Sequence, residues 1–355
     1  MKRRSGLIVL ALVVVGGAVL VCACVAVFGA LYFLLPRSSP TVISTNPVAT
    51  GAPVATLAPV ATVPVVPQTV DAACAQRLDS DVLTSESESA GEGTGNDQTL
   101  VTYQVRGDSL SSPDFTQVAS DLTGFQQDLT DQKKIWDLFT AIIPADQRSE
   151  VTSFEIFTDG KGGDLGSVLQ SDDPRDWILQ MDIQDSGNFT DTSTTLVHEF
   201  GHLLTLNDSQ ITTDIPVFNN PDSQSIFEQE AASCPDYFTF EGCTHSDSYL
   251  NRFVQRFWSP ILAEWQTFQW ETNQDQLDQD TYDFYNKYSD QFVSEYAATS
   301  PEEDIAESWM FFIFGPKPAD TSIANEKVLF FYDFPELVSL RAQILGPLCV
   351  ASQQP

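Results

Sequence analysis

Ser193 to Asn207 reads STTLVHEFGHLLTLN and holds two of the three histidines in a chain of 355 residues. On a helix, positions i and i+4 lie on one face, so His198 and His202 can each aim an imidazole nitrogen at one cation. Glu199 follows the first histidine and completes an H-E-x-x-H arrangement: two metal ligands and an acid placed to handle a water proton. The flanks fit a helix, since Asp191, Thr192 or Ser193 can cap its start and Asn207-Asp208-Ser209 reads as its stop. Leu196, Val197, Phe200, Leu203, Leu204 and Leu206 cover most of the remaining circumference, which predicts a buried helix.

Two imidazoles leave a zinc ion short of protein donors, so a third ligand is required. Asp208 occupies the third-ligand position of the longer HExxHxxGxxH pattern, but Thr205 stands where that pattern has its chain-turning glycine. A stronger donor lies downstream in Glu295 to Gly315, EYAATSPEEDIAESWMFFIFG. Ser300 before Pro301 marks a helix start with Glu302, Glu303 and Asp304 in its first turn, and Gly315-Pro316 marks the stop. Glu303 and Glu307 share one face of that helix. One can bind the metal while the other accepts a hydrogen bond from a ligand histidine's second nitrogen. Ser300-x-x-Glu303 is also a capping box, which would turn Glu303 back toward the cap and leave Glu302 or Glu307 as rival ligands.

On these residues the chain resembles the gluzincin zinc peptidases, in which HExxH is followed by a glutamate ligand on a later helix with an acid four positions on. More narrowly, Ser294 to Trp309, SEYAATSPEEDIAESW, is similar to the catalytic domain of anthrax lethal factor and related zinc metallopeptidases: a tyrosine, then E-x-x-A-E seven residues later. The resemblance implies a Zn2+ ion held by His198, His202 and Glu303, with Glu307 supporting that ligand set. It further implies Glu199 as the general base and Tyr296 as a hydroxyl facing a peptide or protein substrate. It covers those two patches and their order, and the hundred-odd positions between them imply an inserted lobe around residues 210–290.

Outward from the two patches, Leu100 to Arg106 and Val151 to Thr158 have strand character, and Asp159 to Gly163 reads as a turn. Trp177 to Gln184, WILQMDIQ, alternates like a partly exposed edge strand, and an edge strand beside a metal helix can pair with an extended peptide. Phe115 to Ile143, Tyr249 to Gln269 (broken or capped at Pro260) and Tyr282 to Tyr296 carry helical periodicity. The expected class is α+β: a mainly helical, zincin-like metallopeptidase domain with a small sheet, over residues 71–350.

Met1 to Arg4 is basic, and Gly6 to Leu35 carries no charge. That run exceeds the roughly 20 residues that cross a bilayer, so residues 1–36 read as a basic tip and a transmembrane helix. Lys2, Arg3 and Arg4 before it place the N-terminus in the cytoplasm and the remainder outside, a single-pass extracytoplasmic topology in the cell membrane. Cys22 and Cys24 also invite a lipoprotein reading, although the residues before them fit such a cleavage site poorly. Residues 37–70 form a Pro-, Val-, Ala- and Thr-rich stalk. In an extracytoplasmic domain, Cys74, Cys234, Cys243 and Cys349 suggest two disulfides; of the three possible pairings, Cys234 with Cys243 and Cys74 with Cys349 is favoured. A net charge of -32 excludes the phosphate-neutralising chemistry of a nucleic-acid binder. The combined expectation is a membrane-tethered zinc peptidase; the alternative is a non-catalytic surface binding or adhesion module on a degenerate zincin fold.

Overall fold

A computed structural model describes residues 97–161 and 163–352. The chain first builds a mixed sheet from β1 (Gln98–Arg106), β2 (Ser109–Phe115), β3 (Val151–Thr158), β4 (Gly166–Gln170) and β5 (Trp177–Asp182), in the order β2-β1-β3-β5-β4. Strands β3 and β5 run parallel, and the other neighbours are antiparallel. Between β2 and β3 lie α1 (Thr123–Gln127) and α2 (Leu129–Ile142). The caps of α2 are legible: the Asp128 side chain accepts the N–H groups of Thr130 and Asp131. Its buried residues Gln132, Ile135, Trp136, Phe139 and Ile142 recur at helical spacing, and Trp136 meets Phe154 of β3 with ring centroids 5.3 Å apart.

Helices dominate the remainder. They are α3 (Phe189–Leu206), α4 (Ile215–Asn219), α5 (Gln224–Ala231), α6 (Tyr249–Phe253), α7 (Leu262–Trp265), α8 (Gln274–Tyr288), α9 (Pro301–Phe314), α10 (Ile323–Phe330) and α11 (Pro335–Ala351). A two-stranded ribbon of β6 (Ile211–Thr213) and β7 (Gly242–Thr244) interrupts them. The described chain is thus mainly helical with a small mixed sheet. Beyond a polar first half, helix α9 is apolar on every side; it buries Ile305, Ala306, Trp309, Met310, Phe312, Ile313 and Phe314, the signature of a central helix. It packs along α3 and also meets α10 and α11.

The segment from β6 to β7 has a small apolar cluster of its own, Val217, Phe227 and Phe238, with Trp270 packed against Phe227. The expected Cys234–Cys243 disulfide clips it. Cys349 is also disulfide-bonded, but Cys74, its expected partner, lies outside the described residues.

Several expectations are corrected. The helix expected from Tyr249 to Gln269 breaks at Pro260 as read, but its first part also passes into a π-turn at Val254–Trp258 after α6. Phe115 ends a strand instead of starting a helix. WILQMDIQ is not an edge: β4 pairs along β5, and β4 takes the edge position beside α3. Gly166 permits this, because a Cβ there would stand 2.8 Å from Thr195 Cγ2 of α3.

The transmembrane helix expected at residues 6–35 and the stalk at 37–70 lie outside the described residues. Among the described residues, no helix is long and apolar enough to cross a membrane. A span takes about 20 predominantly apolar residues. Helix α3, the longest described at 18 residues, carries Asp191, His198, Glu199 and His202. The described residues therefore give no membrane attachment, which overturns the tethered, extracytoplasmic, single-pass placement.

Candidate metal centre

Helix α3 starts earlier than its flanking residues suggest. Asn188 is the cap, its side-chain oxygen accepting the Asp191 N–H at 2.9 Å. The hydroxyls of Thr192, Thr194 and Thr195 donate back to carbonyls four residues earlier, so the polar first turns are satisfied internally. At the other end, Asn207 Nδ2 donates to the carbonyls of Leu203 and Leu204 and closes the helix. The start of α9 is as read: Ser300 Oγ accepts the Glu303 N–H at 3.1 Å, with Pro301 in the first turn. Only that half of the capping box is made. The Glu303 side chain turns instead to the imidazoles of α3.

The two helices approach closely at Gly201. A Cβ there would lie 3.1 Å from Ala306 Cα and 3.1 Å from Trp309 Cδ1. Across this contact, His198 Nε2 is 3.1 Å from Glu303 Oε2 and 3.2 Å from His202 Nε2, and His202 Nε2 is 3.3 Å from Glu303 Oε2. His198 Nδ1 donates to Glu307 Oε1 at 2.7 Å, which leaves Nε2 of the neutral ring as a lone pair facing the other two atoms. Three donor atoms at that spacing repel unless positive charge, a proton or a metal ion, stands among them. Ligand bonds of about 2.0–2.1 Å in a tetrahedral shell separate the donors by about 3.3 Å, close to the sides of this triangle. His198, His202 and Glu303 can therefore coordinate a divalent metal ion, in a generic zincin-like site buried between α3 and α9.

The electrostatics show the same demand for positive charge between the helices. Burial works against a charged Glu303, but the neighbouring His202 and His198 outweigh it and hold this carboxyl well below the usual range. Burial likewise pushes the two imidazoles down, and the carboxylates around them more than compensate, so both lie above the ordinary histidine range. Glu199 is different. It is buried and its carboxyl is raised, by desolvation first and against the pull of His198 and His202. Its side chain makes no hydrogen bond among the described residues.

Tyr296 sits on a 3-10 turn, Tyr296–Ala298, half exposed, with its ring centroid 5.8 Å from that of His198. The rival ligands are elsewhere. Asp208 is on the turn after α3, where it accepts a hydrogen bond from Thr213 Oγ1. Glu302 faces the other way and accepts the Tyr237 hydroxyl at 3.1 Å. His245, the third histidine, braces the same turn through Ser209 and Thr212.

Two neighbours went unread. Ser294 Oγ donates to Glu307 Oε2 at 2.7 Å and accepts the Ala297 N–H at 3.1 Å, tying the Tyr296 turn to the carboxylate that orients His198. Asp164, between β3 and β4, is close enough for its charge to act on both Glu199 and Tyr296. A lone serine or aspartate in a loop carries no periodic signal that would have found either. Comparisons with protein-family models, with curated proteins and with solved structures found no match. The cluster of His198, His202 and Glu303 thus stands as a generic zincin-like metal site.

Proposed function

We propose that the protein is a zinc-dependent peptidase of gluzincin type. The observation that carries this reading is the triangle of His198, His202 and Glu303, with an unbonded buried acid, Glu199, beside it and Glu307 behind His198. A nitrogen-and-carboxylate donor set suits Zn2+, and three protein ligands leave a coordination position open, as in catalytic sites. The chemistry such an ion supplies is Lewis acidity, which polarises a carbonyl and makes water nucleophilic near neutral pH.

The protein's own groups do the rest. Glu199 takes the proton of the attacking water and returns it to the departing amine. The Tyr296 hydroxyl donates to the oxyanion that develops on the scissile carbonyl. Glu307, held by Ser294, keeps the His198 ring in the tautomer that presents Nε2. Strand β4, the open edge beside α3, offers backbone groups to an extended peptide, which would place a peptide carbonyl along the metal helix.

The test is metal analysis of the purified protein followed by incubation with a mixed peptide library, with and without a chelator. One equivalent of zinc and chelator-sensitive cleavage are expected. Bound metal without cleavage would favour a binding module, and absence of metal would remove the site altogether.

A further inference from the structure

Asp304 follows Glu303 on α9 and is fully buried, as is Lys327 of α10. Lys327 Nζ lies 2.6 Å from Asp304 Oδ2, and the same oxygen accepts the Trp258 indole N–H at 2.7 Å. The ammonium also stands 4.0 Å from the centroid of the Phe292 ring. Neither charge is reachable by substrate, and neither enters the metal site. Taking both out of water is costly, and apolar residues of similar volume would often serve stability as well or better. Stability alone therefore does not explain the pair.

What the pair supplies is direction. Apolar packing is non-directional, so the rotation of α9 about its axis is set by the few polar contacts near its start: Glu302 with Tyr237, Glu307 with His198 and Ser294, and Asp304, which alone of these is held by a buried cation. Rotation by ~20° would carry a carboxylate lying ~6 Å from that axis through about 2 Å. The donor triangle, with sides of 3.1 to 3.3 Å, would not survive such a shift. Asp304 is gripped from α10 by Lys327 and from the π-turn after α6 by Trp258. Just ahead of the helix, the Trp265 indole N–H donates to the Thr299 carbonyl at 2.8 Å. Phe292, against the ammonium, begins the segment that carries Ser294 and Tyr296.

We propose that Lys327 and Asp304 are positioning residues for the metal centre, locking the first turn of α9 in the rotation that sets Glu303 between the two imidazoles. The proposal rests on His198, His202 and Glu303 being a metal site. The experiment compares the full chain with the apolar double variant Lys327→Met/Asp304→Leu and with Trp258→Phe, which removes one donor and keeps the ring. Zn2+ affinity is read by chelator competition, coordination by the absorption spectrum of the Co2+ form, and folding by the melting temperature of the metal-free protein. The double variant is expected to melt at or above wild type yet lose about ten- to a hundred-fold in Zn2+ affinity and show an altered Co2+ spectrum. Trp258→Phe is expected to lose affinity several-fold. A folded variant of either kind with wild-type affinity and an unchanged Co2+ spectrum overturns the proposal. Failure of wild type to bind Zn2+ or Co2+ overturns the metal-site reading itself, and this proposal with it.

Discussion

Glu199 and Glu303 are buried carboxylates beside the same two imidazoles, yet their environments push them apart. Glu303 faces Nε2 of both rings and is held ionised by them, whereas Glu199 has no such partner and burial raises it. Divergence of this kind separates a ligand from a proton carrier. Glu199→Gln is therefore expected to retain stoichiometric metal while peptide hydrolysis falls by about 10²- to 10⁴-fold, measured by metal analysis and turnover on the same preparation. Undiminished turnover would remove Glu199 from the mechanism. At this scale the centre was legible wherever roles follow helix period: His198 with His202, and Glu303 with Glu307, are each four residues apart. Ser294 was not legible, because its partner Glu307 is fixed only once the turn at Tyr296 packs against α9.

Between elements, the contact of α3 with α9 sets the donor spacing, and Gly201 sets that contact. Glycine inside a helix costs about 1 kcal/mol relative to alanine, so Gly201→Ala should help α3 taken alone. Its new Cβ, however, would press on Ala306 Cα and the Trp309 ring, both at 3.1 Å and both in the core. Overpacking of a tight core costs about 1–3 kcal/mol and outweighs the gain in propensity. Gly201→Ala is expected to lower the urea midpoint and to weaken Zn2+ binding together, because the helices must part where Glu303 meets the imidazoles. A variant more stable than wild type with unchanged affinity would show that the approach is loose. Helices α3 and α9 could be read from their periods, and α9 also from its Ser300 cap, whereas the Asn188 cap of α3 lies ahead of the residues expected to hold it. The edge of the sheet could not, since GSVLQ has too short a pattern to announce β4, and only its pairing with β5 shows which strand is outermost.

Over the whole molecule, acidity was plain in the composition, with 49 Asp and Glu against 17 Lys and Arg, but which carboxyls are buried depends on the fold. Asp182 at the end of β5 is one of them. Its oxygens accept the N–H groups of Asp159 and Gln184, and so join the loops after β3 and β5 that flank the start of α3. Burial raises its pKa from 3.8 to about 7, the nearby Asp185 charge adding to the rise and the backbone donors opposing it, while the Asp159 carboxylate also faces it. A raised folded-state pKa means that the native chain holds a proton which the unfolded chain has released. The resulting stability is fully present below the unfolded value of 3.8 and is lost as pH rises through about 7. At 1.36 kcal/mol per unit, it is at most on the order of 4 kcal/mol. Self-repulsion at a net charge of -32 works in the same direction, but added salt screens it, whereas a desolvation effect in the interior is screened far less. The metal-free protein is therefore expected to melt at higher temperature near pH 5 than near pH 8, both in dilute buffer and in molar salt. If molar salt abolished the difference, surface repulsion would be its whole cause and Asp182 would have no part in it.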